Sequence, residues 1–267
     1  MDNVKKELGI NSNILKIIAI VFMLIDHFAY YFKYAISNDT YYILRILGRI
    51  AMPIFVYLII QGYFHTRNIW RYIFNIFTLA TVTQISLIII GNINYNYFQD
   101  YSVGINNYLN ILYSFVFSLL IIYLLDNKVI FKAAGKILNY IIKVLGIAVI
   151  IGIYFCVRID YEYRVPFMAA SIYLIEKIYK KYETKVNENY VFYKIIYMIY
   201  LIVLFYISLY MQDTVLWFNI SSFASIIPIM LYNRKRGKNN IMIKYSFYAV
   251  FLLQHIVFYL LGMIMMK

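Results

Sequence analysis

Apolar segments long enough to cross a bilayer follow one another along this 267-residue chain, and they leave few choices of fold. A helix needs about 20 consecutive apolar residues to span the hydrocarbon core of a membrane. The composition agrees, since 64% of the residues are hydrophobic and only 14% are charged, against about a quarter charged in soluble domains. The two-residue alternation that is typical of an outer-membrane barrel is absent. The sequence therefore predicts an all-α, polytopic bundle of transmembrane helices, in a single integral-membrane domain of residues 1–267.

Charges in the connections predict how the chain is oriented. Nine spans are expected, at residues 14–34, 41–64, 69–91, 109–126, 137–157, 161–180, 190–211, 214–232 and 244–266. The N-terminal segment and every second connection are basic, whereas the others are neutral, acidic (Asp100, Asp213) or mixed. The basic residues include Lys5, Lys6, Arg67, Arg71, Lys128, Lys132, Lys136, Lys177, Lys180, Lys181, Lys185, Arg234, Lys235, Arg236 and Lys238. Cytoplasmic loops carry the excess of Lys and Arg, so we predict a cytoplasmic N-terminus in a bacterial-type inner membrane. The net charge of +13 comes largely from these loops and does not indicate a nucleic-acid partner.

Ionisable residues interrupt the first two spans. Asp26 and His27 lie in the otherwise apolar stretch 17–30, and Arg45 and Arg49 lie four residues apart in the next span, on one helical face. With a rise of about 1.5 Å per residue, His27 lies roughly 10 Å and Arg49 about 12 Å below the external surface. Charged groups at such depth are costly and usually functional. The four residues are therefore candidate catalytic residues, the alternative being an ion pair that only joins the two spans.

Other polar side chains are expected in the outer half of the membrane. Gln84 lies in the third span, Asn110 begins the fourth, Asp160 and Tyr161 lie at the outer mouth, and His255 lies near the midplane of the last span. We predict a polar cavity in which these five residues bind an acceptor substrate. The alternatives are structural: Asp160 as a helix cap, and His255 as a buried side chain with an ordinary hydrogen bond.

A row of cations suggests how a charged donor docks. Lys16 precedes His27 by eleven residues, close to three helical turns, so the two lie on nearly one stripe. His65, Arg67 and Arg71 also lie at the cytoplasmic end. An anionic nucleotide bound to these cations could extend an acyl arm toward His27, which suits acetyl-CoA or another acyl-CoA. The alternative is that the arginines follow the positive-inside rule and contact phospholipid headgroups.

Histidine chemistry fits acyl transfer. A neutral imidazole can act as a general base on a hydroxyl or amine, or as the nucleophile that takes the acyl group. The neighbouring carboxylate of Asp26 can orient the ring or hold Arg45 and Arg49. Successive helical residues point about 100° apart, which favours the arginines. The arginines can stabilise an oxyanion or fix Asp26.

The same residues resemble a known family. The segments 14–28, 44–55 and 61–66, with Asn110, Asp160-Tyr161, the 232–237 segment and His255, are similar in order to the TraX family, which is known for the acetylation of conjugative F-type pilin. That family is related to a broader membrane acyltransferase superfamily, whose first span has a basic residue eleven positions before a functional histidine. Lys16 and His27 stand at those positions. The resemblance implies acyl transfer from acyl-CoA to an acceptor on the outer side, with His27 central.

The function expected from the sequence is thus a membrane-embedded acyltransferase, with acetyl-CoA as the favoured donor. The acceptor is expected to be an amine or hydroxyl of an exported peptide, pilin or envelope component. No metal is expected, since the three histidines are scattered. The competing classes are a proton- or anion-coupled transporter, in which the charged residues form a relay, and a non-catalytic assembly factor for pili or the envelope.

Overall fold

The computed structural model describes residues 9–93, 109–126, 135–182, 190–210, 220–235, 237 and 241–265. Several charged residues of the predicted connections lie outside these ranges: Lys5, Lys6, Asp100, Lys128, Lys132, Lys185, Asp213, Arg236 and Lys238. The helices are α1 (Ser12–Tyr31), α2 (Asn38–Gly48), α3 (Ala51–His65), α4 (Ile69–Ile93), α5 (Ile111–Leu125), α6 (Lys136–Cys156), α7 (Arg164–Lys181), α8 (Tyr190–Tyr210), α9 (Ile226–Leu231, preceded by a 3₁₀ turn at Ser221–Ser225) and α10 (Ile241–Met265). Extended pairing in the described ranges is limited to two isolated bridges, which confirms the predicted all-α class.

Five helical segments of the described chain are long and apolar enough to cross a membrane. They are Ser12–Tyr31, Asn38–His65, Ile69–Ile90, Lys136–Tyr154 and Tyr245–Ile264. They correspond to the first, second, third, fifth and last of the predicted spans. Two of the other predicted spans contain short helices, α5 with 15 residues and α9 with 6. The number of nine spans and the cytoplasmic N-terminus therefore stay predictions.

The second predicted span is divided into two helices. α2 ends at Gly48 and α3 begins at Ala51, so the break falls at Arg49 and Ile50. Pro53 accounts for the position of the break, because in a continuous helix its ring collides with the carbonyl four residues earlier, that of Arg49. As the third residue of α3, Pro53 loses no hydrogen bond, since the first N–H groups of a helix have no partner within it.

The described chain falls into two compact units. The first comprises residues 1–58 and 177–267, and in it α1 packs against both α2 and α10. Lys16 lies against Phe247, and His27 lies against His255 farther along both helices. The contacts advance in the same direction on the two helices, so α1 and α10 run parallel. The predicted single domain stays a prediction.

The second unit comprises residues 59–176. α4 and α5 are antiparallel neighbours in it, since Trp70 contacts Tyr123 at one end and Phe77 contacts Tyr113 at the other. α6 packs against α5. This unit contains the predicted acceptor-binding residues of the third and fourth spans.

A glycine sets the distance between α1 and α2. A methyl group on Gly48 would lie 2.7 Å from the Cα of Asp26 and closer still to its side chain. Carbon atoms separated by their normal contact distance lie about 3.5–4.0 Å apart, so no larger residue fits without moving the helices. Gly48 therefore allows the close approach that brings Asp26 next to α2.

Replacing Gly48 by alanine should destabilise the protein by about 1–3 kcal/mol, because the added methyl group overpacks the α1–α2 contact. The measurement is the free energy of unfolding in detergent micelles. Gly152→Ala is the matched control: it lies within α6 with open space around the new methyl group. There the change should be neutral or stabilising by up to about 1 kcal/mol. Equal effects at the two glycines would contradict the packing argument.

Candidate functional site

One carboxylate in the first unit is shared by two guanidinium groups. Arg45 Nη1 donates to Asp26 Oδ2 at 2.7 Å, and Arg49 Nη2 donates to Oδ1 at 2.7 Å and Oδ2 at 2.9 Å. Asp26 is 8% exposed, and the arginine side chains are 17% and 14% exposed. Charge-assisted bonds of this kind are strong in buried surroundings. The predicted meeting of these residues is confirmed, and the trio carries one net positive charge.

Further contacts fix the arginines in place. Arg45 stacks on the ring of Tyr30, with its guanidinium carbon 5.3 Å from the ring centroid. Arg49 Nε donates to the Arg45 carbonyl oxygen at 3.4 Å, which the break after Gly48 leaves available. Ser221 Oγ donates to the carbonyl oxygen of Ile46 in the same turn. The two cations are therefore held rigidly against Asp26.

Because Asp26 binds the arginines, its neighbour His27 faces α10. The rings of His27 and His255 lie 4.8 Å apart, centroid to centroid, at 44°. Gln254 lies next to the His27 ring. This geometry decides between the two roles that the sequence leaves open for Asp26: its carboxylate holds the arginines.

Two buried polar atoms at this point have no hydrogen-bond partner within the described residues: His27 Nδ1 and Gln254 Oε1. The amide nitrogen of Gln254 is engaged with the Phe251 carbonyl oxygen at 3.1 Å and with Met23 Sδ at 3.6 Å. An unsatisfied buried polar atom costs about 1–3 kcal/mol. A hydrogen bond from His27 Nδ1–H to Gln254 Oε1 would satisfy both atoms. The pairing favours the tautomer of His27 whose Nε2 carries the free lone pair.

His255 is fixed in the complementary way. The Tyr31 hydroxyl lies 3.0 Å from His255 Nδ1, and both residues are buried. A phenol that donates to Nδ1 leaves the proton of His255 on Nε2. The histidine pair then offers one accepting and one donating nitrogen. The accepting nitrogen can act as a general base, and the donating nitrogen can supply a hydrogen bond beside it.

Three residues of this cluster were not predicted from the sequence: Tyr31, Gln254 and Gly48. Tyr31 lies four residues after His27 and so shares its helical face. Gln254 is a polar residue inside an apolar run, next to His255, which is a usable signal. The partner that each residue contacts is determined by how the helices pack.

Lys16 occupies the position on α1 that the stripe predicts. Its Nζ lies 5.3 Å from the centroid of the Phe247 ring, on the α10 side of α1. His27 faces the same helix about 16 Å farther along. The two residues therefore share a face, as the eleven-residue spacing indicates.

The remaining residues predicted to hold acyl-CoA belong to the second unit. His65 ends α3, and its Nδ1 lies 2.7 Å from the carbonyl oxygen of Gln61, a contact typical of helix C-termini. Arg67 and Arg71 are exposed at the start of α4. Within the described ranges no cluster of three or more His, Cys, Asp or Glu side chains is arranged to hold a metal ion. Donor binding by these residues stays a prediction.

Four predicted acceptor-binding residues are neighbours in the second unit. Asn110 caps α5: its Oδ1 accepts from Leu112 N, and its Nδ2 donates to Gln84 Oε1 at 3.0 Å and to the Ala80 carbonyl oxygen. The bridge between Leu109 and Ile159 brings Asp160 and Tyr161 close to this cap. Asn110 and Gln84 thus join α4 to α5. Their binding of a substrate stays a prediction.

Replacing Asp26 by asparagine should cost about 3–5 kcal/mol of unfolding free energy, because two buried cations lose their counter-charge. The measurement is a denaturant titration in detergent. Asp39→Asn is the control, since Asp39 is exposed in the first turn of α2. A double variant, Asp26→Asn with Arg45→Met, should recover part of the loss. A loss no larger than that of the control would contradict a structural role for the trio.

The tautomers can be read directly, because the chain has three histidines. In protein labelled with ¹⁵N-histidine, the ring signals should report Nδ1–H for His27 and Nε2–H for His255. Gln254→Leu should mix the tautomers of His27, and Tyr31→Phe should mix those of His255. His65 serves as the internal control in both variants. An unchanged His27 spectrum in Gln254→Leu would show that the amide does not hold the ring.

Comparisons with known proteins identify the family of this chain. A probable fimbrial assembly protein, FimC of serogroup H1 from Dichelobacter nodosus, is 33% identical over 70 residues, a match that covers 26% of this chain and 28% of that protein. No solved structure matches the chain significantly. The family described as TraX protein matches residues 11–261, nearly the whole length and with it every residue of the site. The chain therefore belongs to the TraX family.

Proposed function

We propose that this chain is a membrane-embedded acyltransferase. It moves an acyl group from cytoplasmic acyl-CoA, with acetyl-CoA as the favoured donor, to an amine or hydroxyl of an exported peptide, pilin or envelope component. The observation that carries the proposal is the His27–His255 pair, buried beside a carboxylate that two arginines already occupy. The imidazole of His27 is therefore not paired with the carboxylate of Asp26, its neighbour in the helix.

The proposed chemistry uses both histidines. His27 Nε2 takes the proton of the acceptor hydroxyl or amine, whose oxygen or nitrogen attacks the thioester carbonyl. The carbon–sulfur bond breaks, a new ester or amide bond forms, and the proton passes to the departing thiolate of CoA. In the covalent variant His27 itself takes the acyl group first. In both variants His255 Nε2–H and the positive trio stabilise the negative charge on the carbonyl oxygen.

Lys16 indicates which end of the site binds the charged part of the donor. A cation at one end of α1 and a histidine about 16 Å farther along the same face match a ligand with a charged head and an extended reactive arm. We assign Lys16 to the nucleotide end of acyl-CoA, the role that the sequence also predicts for His65, Arg67 and Arg71. The arm then follows the α1–α10 contact toward His27.

The parallel course of α1 and α10 agrees with the odd number of spans in this proposal. Two parallel spans require an odd number of crossings between them, and nine spans with α1 first and α10 last give seven. A cytoplasmic N-terminus then places the histidine pair in the outer half of an inner membrane. Acceptors at that side are exported molecules, with Gln84, Asn110, Asp160 and Tyr161 proposed to contact them. The fimbrial relative favours a pilus component among these acceptors.

Purified protein in detergent or vesicles should transfer labelled acetyl from acetyl-CoA to an acceptor or to water, and His27→Ala should lower the rate by about 10²–10⁴-fold. Val21→Ala is the matched control, because Val21 is an exposed apolar residue of the same helix. Its activity should equal that of the unaltered protein.

The competing functions give different results in the same preparation. A transporter would show flux that depends on pH or potential without any acyl donor. A non-catalytic assembly factor would show neither flux nor transfer, while folded His27→Gln protein would still support pilus assembly. A folded His27→Ala protein with full transferase activity would falsify the role of His27.

A further inference from the structure

A groove lies between α4 and α5 in the second unit, and the acyl-transfer proposal uses only Arg71 among the residues that line it. It encloses about 620 Å³. Its walls are large apolar side chains, of which Trp70, Phe74 and Phe77 are 55%, 66% and 45% exposed. The groove follows a helix that is long and apolar enough to cross the membrane. An apolar ligand at this place replaces no water and competes only with bulk lipid.

The walls of the groove are almost entirely apolar, and Arg71, its one charged lining residue in the described chain, lies at one end. At the other end the Tyr113 hydroxyl donates to Thr81 Oγ1 at 3.2 Å, and Thr81 Oγ1 in turn donates to the Phe77 carbonyl oxygen at 3.0 Å. These groups satisfy one another and offer the ligand an apolar surface. Arg71 lines the opposite end, about 9 Å from Phe77 along the helix. The groove therefore matches a ligand with an apolar tail and an anionic head.

Trp70 marks the same end as a membrane interface. Its ring packs on Tyr123 at 5.0 Å, and it directly precedes Arg71. Trp and Tyr are enriched at the headgroup level of membranes, and basic pockets between transmembrane helices bind anionic headgroups. The tail end of the groove then lies at the depth of acyl chains.

We propose that the groove is a binding site for one anionic phospholipid, with its phosphate on Arg71 and one acyl chain along Phe74 and Phe77. The proposal does not depend on the transferase reaction. The sequence also predicts that Arg71 binds acyl-CoA, which likewise joins an acyl chain to phosphates. The phospholipid is favoured because apolar side chains that are exposed in the described part of the chain line the groove, which suits a lipid entering from the bilayer.

The fluorescence of Trp70 reports on lipid binding in the groove. The chain has two tryptophans, and the other, Trp217, lies outside the described residues. Trp217→Phe protein is reconstituted in phosphatidylcholine vesicles that contain a small fraction of nitroxide-labelled phosphatidylglycerol or, separately, nitroxide-labelled phosphatidylcholine. Quenching of Trp70 should saturate with labelled phosphatidylglycerol, at about fivefold lower mole fraction than with labelled phosphatidylcholine, since one arginine selects for the anionic lipid.

Two arginine variants test the assignment. Arg71→Gln should abolish the preference for phosphatidylglycerol, and Arg71→Lys should keep most of it. Arg67→Gln is the matched control: Arg67 is exposed four residues earlier and does not line the groove. Its preference should be unchanged.

Three outcomes would overturn the proposal. The first is equal quenching by the two labelled lipids. The second is a preference that survives Arg71→Gln or disappears equally in Arg67→Gln, since either result indicates general surface charge. The third is displacement of labelled phosphatidylglycerol by equimolar palmitoyl-CoA, which would assign the groove to the acyl donor.

Discussion

The first unit depends on one shared carboxylate. Asp26 accepts hydrogen bonds from Arg45 and Arg49, and this closes α1 on α2 at the point where Gly48 lets the backbones meet. Removal of Asp26 would leave two cations without their counter-charge, which is why such groups are kept together. The same bonds use both oxygens of Asp26 and so free the neighbouring His27 to face α10. The contact between His27 and His255 therefore depends on the ion pairs that Asp26 forms with the arginines.

Helical periodicity accounts for what the sequence predicts well. The spacing of Arg45 and Arg49 and that of Lys16 and His27 are properties of a single helix, and both are present. The contacts of His27 with Gln254 and of Tyr31 with His255 join positions more than 200 residues apart in the chain. No local pattern specifies such contacts, because they depend on which helices pack together. The break before Ala51 was not predicted within the span 41–64, although Pro53 explains it, and its consequence for Arg49 appears only in the folded chain.

Polar residues in apolar segments serve two purposes here, and the sequence does not distinguish them. Asn110 and Gln84 are predicted to bind substrate by type and depth, and in the folded chain their amides also satisfy the first turn of α5 and a carbonyl of α4. His27 and Gln254, in contrast, each keep a buried polar atom without a partner in the described chain. The useful criterion is whether the polar atoms are already hydrogen-bonded, rather than residue type or depth. Asn110 lies at a helix start, where free N–H groups need acceptors, whereas His27 lies within a helix whose backbone is already satisfied.

The parallel contact of α1 and α10 also determines when the site is completed. The ribosome makes Asp26, Arg45 and Arg49 within one short stretch, so the buried carboxylate acquires its counter-charges as soon as the second span inserts. Gln254 and His255 follow about 200 residues later, which at the usual speed of synthesis is on the order of 10–40 s. Until then the α10-facing side of His27 and Tyr31 is open to lipid or to helices made in the interval. During synthesis the ion pairs of Asp26 therefore form first, and the histidine pair forms last, when α10 packs against α1.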